Sequence, residues 1–363
     1  MLRMWQGREL ILCTLAVLAG NLLGDALPLP PFCYLLLSLG FVFMALRRPT
    51  WPWLLLSLVL LGAFSLQAGR MPAGTDPSAL TQWAATQKEN FSMWLGQFAP
   101  PGEELAILRA LAIGDKGDLT RDLRAAYRES GAMHLLALSG LHVGLIYALL
   151  RWLLTPLGGH RTMRLLRGTV ILSSLWTYAL ITGLSASITR AVLMITFYEF
   201  AGWLTGDRDG LTSLAGSALL LMVFDPEVPR DIGFQLSYTA VFSILLFYPW
   251  LSRRLQTRSR LLKKVWELLS VSLCCQATCG VLAWLYFGTF PRYFLLTTLL
   301  AIPLATAVMY AIAAAVASAG LSSLISGVSW LSSATTWLSA STSAVLTWLL
   351  HLLNTLIRLI AEL

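Results

Sequence analysis

Gly131-Ala-Met-His-Leu-Leu-Ala-Leu-Ser-Gly-Leu-His-Val-Gly144 is the stretch on which the fold turns. It leads an apolar run to Leu154, long enough at roughly 1.5 Å per residue to cross a hydrocarbon core of roughly 30 Å. Lipid alone would ask for aliphatic residues, yet this run carries His134, Ser139, His142 and a Gly140-x-x-x-Gly144 pair. On a helix turning about 100° per residue, with His134 at zero, His142 falls near ~80° and Ser139 near ~140°. Gly140 and Gly144 fall near ~240° and ~280°. The spacing predicts one helix whose glycine face (Gly140, Gly144) packs on a neighbour and whose polar face turns toward a hydrated interior. Hydrogen bonding of the histidines to neighbouring helices is the plainer alternative. Metal ligation is not expected, because the histidines lie on different faces with no Cys, Asp or Glu close by.

Hydrophobic residues make up 57% of the chain and charged residues 12%, which excludes an ordinary soluble domain. The expected class is all-α: a polytopic transmembrane helical bundle of about eleven spans with short interfacial, amphipathic helices. Leu10 to Leu23 reads as a retained helix, since Ala-Gly-Asn-Leu-Leu-Gly is a poor signal-cleavage site. Cys13, Cys33, Cys274, Cys275 and Cys279 all sit in apolar segments without a CxxC pair, so buried free thiols are expected. The net charge of +8 invites a nucleic-acid reading. Most of the excess lies in short loops (Arg47 and Arg48; Arg161, Arg164 and Arg167; Arg253 to Lys264), where it sets topology by the positive-inside bias.

Four intervals follow from hydropathy: residues 1–69 with three spans, 70–132 as an extracytoplasmic amphipathic helical segment, 133–318 as the main transmembrane domain, and 319–363 as a C-terminal transmembrane region. In the second interval the charges nearly cancel, and Trp83, Phe91, Trp94, Leu95 and Phe98 recur at helical spacing, as in a helix lying in the membrane interface. Pro100 and Pro101 stop it, and Glu103 to Ile113 begins another. Leu211 to Phe224 is short for a span, but the basic run after it lies inside only if it crosses. Gly320 to Ser329 reads as a turn or re-entrant segment.

Polar residues that are costly in lipid recur near one side. Arg190 lies about one turn into its helix, and Asp231 and Gln235 open theirs from the same side. Asp231 is the expected partner of Arg190, the N-cap of its helix, or both. The expected site is an outward vestibule lined by His134, Ser139, His142, Arg190, Asp231, Gln235 and Ser237. Ser237 stands about 200° from Gln235 on an ideal helix, so either the helix start is irregular or the two serve different faces. No catalytic residue or cofactor is expected: Ser139 and His142 close on one helix rarely align as nucleophile and base, and no acid orients the imidazole.

Gly114-Asp-Lys116, Gly131-x-x-His-Leu-Leu-Ala-Leu-Ser-Gly-Leu-His-Val-Gly144, Ser187-x-x-Arg-Ala-x-x-Met194 and Asp231-Ile-Gly-Phe-Gln-Leu-Ser237 resemble, in order and spacing, the membrane domain of the ComEC family of competence proteins. Phe290-Pro291 followed by Leu300-Ala-Ile-Pro-Leu304 is similar to a later stretch of it, and Thr298 stands where the family often has Asn. The resemblance implies a multi-pass protein of the cytoplasmic (inner) membrane that passes single-stranded DNA in natural transformation. The residues carried over are the His134 to His142 motif, Arg190 and Asp231 to Ser237. Two departures matter. Arg70 to about Pro101 is too short for the OB-type domain many members carry, and no His-x-His-x-Asp-His run marks a metallo-β-lactamase-like domain. With no Walker loop either, the expected partners beyond single-stranded DNA and lipid are a separate nuclease or DNA receptor outside and an ATP-dependent motor inside. A secondary transporter for a small polar or anionic solute is the alternative, suggested by the small-residue break at Gly183 to Ser187.

Overall fold

The computed structural model describes residues 7–27, 30–47, 51–69, 79–158, 160–204, 206, 208–255, 257–288, 294–325 and 329–362. Arg48, Arg70, Phe290 and Pro291 lie outside them. Fifteen α-helices account for most of the described chain, and among the described residues there is no strand.

The helices are α1 (Gly7–Ala26), α2 (Pro31–Arg47), α3 (Trp51–Gly69), α4 (Ala79–Leu95), α5 (Glu103–Ile113), α6 (Arg121–Glu129), α7 (Gly140–Leu153) and α8 (Arg161–Ile181). They continue as α9 (Ala186–Leu204), α10 (Gly210–Phe224), α11 (Ile232–Ser252), α12 (Arg260–Cys275), α13 (Val281–Phe287), α14 (Phe294–Ile325) and α15 (Ser329–Ala361). A π-helical turn, Gln276–Gly280, joins α12 to α13. Among the described residues, five segments are long and apolar enough to cross a membrane: Glu9–Ala26, Ile232–Ser252, Arg260–Phe287, Leu295–Ser323 and Thr335–Ala361. Leu54–Gln67, Gly140–Leu153 and Gly210–Phe224 are shorter apolar helices. The chain is a membrane protein, and among the described residues its fold class is all-α.

Two compact units interleave along the sequence. The first comprises Met1–Pro77, Leu157–Leu172 and Arg190–Pro249. Its tightest joint is between α1 and α3. A Cβ on Gly20 would fall 1.9 Å from the Val59 carbonyl oxygen, and one on Gly62 would fall 2.4 Å from that of Val17. Gly24 stands 3.0 Å from Ala63 by the same measure. Backbones this close trade side-chain volume for dispersion contact, the logic of small-residue packing in membranes. Gly20 and Gly24 thus form a packed Gly-x-x-x-Gly pair within this unit. Gly144, expected to face a neighbour, would find nothing within 4 Å of an added Cβ. At the far end of α9, the buried Glu199 carboxylate accepts from Arg208 Nη2 at 2.6 Å. Asp209 caps α10 by accepting from the Leu211 and Thr212 N–H groups. Burial alone would raise its carboxyl, but the Thr212 and Leu211 hydrogen bonds win and hold it below the usual carboxylate range.

The second unit comprises Ser78–Pro156, Ser173–Thr189 and Trp250–Leu363. Its core joins Ile107, Leu111 and Ile113 of α5, Leu123 and Tyr127 of α6, and the inner faces of α14 and α15. Leu123 and Tyr127 are four residues apart, so both point inward while the charged residues of α6 stay out. Tyr127 Oη donates to the buried Asn354 Oδ1 at 3.1 Å. Burial pushes that phenol up, with Glu103 adding to the shift, so it keeps its proton. The expected stripe runs past the end of α4 and is split between core and surface: Leu95 and, beyond the helix, Phe98 are buried, whereas Trp83 and Trp94 are exposed. Of the expected turn or re-entrant segment from Gly320 to Ser329, the part through Ile325 is helical, and residues 326–328 lie outside the described residues.

Candidate functional site

In the first unit, Arg190 and Asp231 form the expected pair, Nη1 to Oδ1 at 3.3 Å. Arg190 is 9% exposed, so its charge is largely withdrawn from solvent. The same Asp231 oxygen accepts the Phe234 N–H at 2.6 Å, so Asp231 is also the N-cap of α11. Both expected roles hold together. Gly233 leaves room beside the pair: a Cβ there would stand 3.0 Å from Arg190 Nη2, so the guanidinium would have to give by a few tenths of an ångström.

Gln235 Nε2 donates to the Pro229 carbonyl at 2.9 Å, bracing the turn before α11. α11 is regular from Ile232, so Gln235 and the half-buried Ser237 serve different faces. Arg190 Nε is enclosed without a hydrogen-bond partner. An orphan of this kind points to a water at the guanidinium edge.

Sequence reasoning missed several supports of this cluster. Arg230 pairs with Asp25 at 3.1 Å and with Glu227 at 2.7 Å, and Asn21 Nδ2 reaches the Pro226 carbonyl at 3.3 Å. Together these fasten the end of α1 to the loop that presents Asp231. Asn21, a polar residue within the apolar run of α1, was the available signal. Phe234 and Tyr238 stack with centroids 4.1 Å apart, and Tyr238 Oη donates to Ser217 at 3.0 Å.

In the second unit, the structure divides the expected span at its start. Gly131 has φ +74°, Ala132–His134 is a 3₁₀ turn, and α7 begins only at Gly140. His134 is therefore off the helix, its Nδ1 3.0 Å from the Gly131 carbonyl oxygen, and it does not share a helical face with His142. Ser139 is the N-cap of α7, and its N–H donates to His142 Nδ1 at 3.3 Å. Ser139 Oγ lies 3.0 Å from the same nitrogen. The two side chains align after all, because Ser139 is extended backbone before the helix rather than part of it. This is the geometry of a capping box with histidine in the place of the usual Glu or Gln. Accepting from a backbone N–H puts the His142 proton on Nε2.

Leu138 presses on the first motif: an added Cβ on Gly114 would be 2.7 Å from Leu138 Cγ. Gly114 ends α5 at φ +69°, and Asp115 accepts from Gly117 N–H and the Ser92 hydroxyl, each at 3.1 Å. The Gly114-Asp-Lys116 turn is thus the seat of the segment that leads to Ser139. Nearby, the Thr297 hydroxyl donates to the Ser130 carbonyl, while the Thr298 hydroxyl is buried without a partner. Among the described residues, no group of three or more His, Cys, Asp or Glu stands close enough to hold a metal.

Residues 111–361 match a family model described as Competence protein. The chain is 33% identical over 146 residues to ComE operon protein 3 of Bacillus subtilis (strain 168), covering 40% of this chain and 18% of that protein. It is 28% identical over 147 residues to Competence protein ComA of Neisseria gonorrhoeae, covering 39% and 21%. Against Recombination protein 2 of Haemophilus influenzae it is 27% identical over 146 residues, covering 39% and 18%. The chain thus spans about a fifth of the length of these relatives. No solved structure matches it.

Proposed function

Since this chain belongs to the competence protein family, we propose that it is a conduit through which single-stranded DNA crosses the cytoplasmic membrane in natural transformation. The observation that carries the reading is the buried Arg190 of the Ser187-x-x-Arg motif, paired to Asp231 across the space left by Gly233. A charge at the centre of a membrane helix costs about 2.5–3.5 kcal/mol on insertion scales, and the pair offsets this only in part while Nε remains without a partner. Water, or a passing anion, completes that edge. A phosphodiester strand needs a hydrated path, mild positive potential and binding weak enough to release, which one half-neutralised guanidinium supplies better than a row of free lysines.

In this reading Arg190, Asp231, Gln235 and Ser237 of the first unit line an outward vestibule. Eleven crossings are made by α1, α2, α3, α7, α8, α9, α10, α11, α12 with α13, α14 and α15. The loops holding Arg161 to Arg167 and Arg253 to Lys264 are inside. α10, with 15 residues, spans about 22 Å and crosses shielded by its neighbours. A separate nuclease or DNA receptor delivers the strand, an ATP-dependent motor pulls it, and the chain itself performs no catalysis.

The break between α8 and α9, where Gly183 and Leu184 have φ +75° and +52°, favours a second reading. Secondary transporters bind small polar or anionic solutes at interrupted helices. Complementing a deletion strain with wild type, Arg190→Ala and Asp231→Ala tests the first. Loss of transformation at unchanged membrane abundance supports it, and normal transformation by both variants ends it.

A further inference from the structure

The turn between α11 and α12 holds a pocket of about 510 Å³ that the conduit does not use. Arg253, Arg258 and Lys263 line it together with Ser252, Thr257 and one carboxylate, Glu267. Three cations against one anion, with two hydroxyls between them, suit a phosphate group. Its surroundings are not those of a site for a free anion. Leu261 is 74% exposed, Leu262 48% and Trp250 59%, all beside the basic residues.

The Arg254 guanidinium lies 4.3 Å from the Trp250 ring centroid. Trp266 Nε1 donates to the Leu251 carbonyl at 3.1 Å, which holds the start of α12 to the chain leaving α11. Cations, hydroxyls, indoles and bare leucines thus meet at the common end of two segments long and apolar enough to span, Ile232–Ser252 and Arg260–Phe287. That end lies at headgroup depth in any bilayer these segments cross.

We propose that this turn binds an anionic phospholipid, with its headgroup phosphate in the pocket and its acyl chains along Leu261, Leu262 and Trp250. A nucleic-acid strand or a free phosphate would meet the cations alone and make no use of the adjacent apolar side chains. A lipid covers both at once, and basic pockets between membrane helices are suited to such headgroups. Occupancy would fix the turn at the bilayer surface. The site requires only that the chain be a membrane protein and does not rest on DNA transport.

Native mass spectrometry of the full chain, released from mixed phosphatidylcholine and phosphatidylglycerol or cardiolipin, reads the occupancy directly. Wild type should retain anionic over zwitterionic lipid, and Arg253→Gln/Arg258→Gln/Lys263→Gln should lose at least about tenfold of that preference, each cation near the surface being worth about 1 kcal/mol. Arg253→Lys/Arg258→Lys should keep it, which separates lost charge from lost fold. Equal retention by wild type and the triple Gln variant would overturn the proposal. So would a single-stranded oligonucleotide binding this pocket when lipid shows no preference for it.

Discussion

Gly233 and Arg190 are a matched pair: a Cβ on the glycine would lie 3.0 Å from the guanidinium Nη2, and 3.1 Å from Asp231 Oδ1. The missing side chain lets a buried cation reach the first turn of α11. Gly233→Ala must therefore push the guanidinium aside or strain the helix start, at a cost of about 1–3 kcal/mol for overpacking. Transformation by Gly233→Ala should fall to the level of Arg190→Ala, with both proteins present in the membrane at wild-type amounts. Wild-type transformation by Gly233→Ala would show that the pair tolerates displacement.

Asp231 caps α11 and pairs with Arg190 through one oxygen, and substitution can separate the two roles. Asn caps as well as Asp, so Asp231→Asn should keep the helix cap and lower thermal stability in detergent only by what the ion pair contributes. Asp231→Ala should lose both, with about 1 kcal/mol from the cap. The exchange Arg190→Asp/Asp231→Arg keeps the charges but misplaces the cap and the glycine space. Normal transformation by both the exchange and Arg190→Ala would leave the pair without a functional role.

The glycine contacts of α1 and α3 predict a contrast. Gly20→Ala would drive a methyl into the Val59 carbonyl and should sharply lower membrane abundance. Gly144→Ala meets open space and should be tolerated, its effect on stability within about 0.5 kcal/mol. Immunoblots of membrane fractions decide the matter, and equal loss for both would mean that Gly144 packs as its spacing suggests.

Hydropathy located the helices well: Glu103–Ile113 was readable to the residue from the prolines before it and the glycine after it. The Arg190–Asp231 pair was legible because an unpaired cation in lipid is expensive and one carboxylate lay at a matching depth. The start of α7 was not legible. Leu135, Leu136 and Leu138 keep the segment apolar, so hydropathy runs straight through a 3₁₀ turn. Gly131 and the Ser139-Gly-Leu-His sequence carried the local signals of a break and a cap, but a helical wheel assumes one unbroken helix. Gly20-x-x-x-Gly24 was passed over for Gly140-x-x-x-Gly144 because a small-residue spacing does not say whether a neighbour is there. The interleaving of the two units depends on contacts between residues far apart in sequence, which no local period encodes.

The capping box of α7 gives a further test. Gln is a usual capping-box residue, so His142→Gln should keep the helix start, whereas Ser139→Ala should cost about 1 kcal/mol of stability. Because the pair is read as structural, Ser139→Ala should still transform whenever its membrane abundance is restored. Abolished transformation at full abundance would give the Ser139 hydroxyl a role beyond the cap.

The most direct measurement of the central claim is uptake of labelled single-stranded DNA, beside labelled small anionic solutes, by vesicles reconstituted with the purified chain under an imposed membrane potential. Wild type should admit the strand, and Arg190→Ala should admit markedly less. Uptake of the solutes alone, or strand uptake unchanged by Arg190→Ala, would contradict a DNA conduit built around the buried arginine.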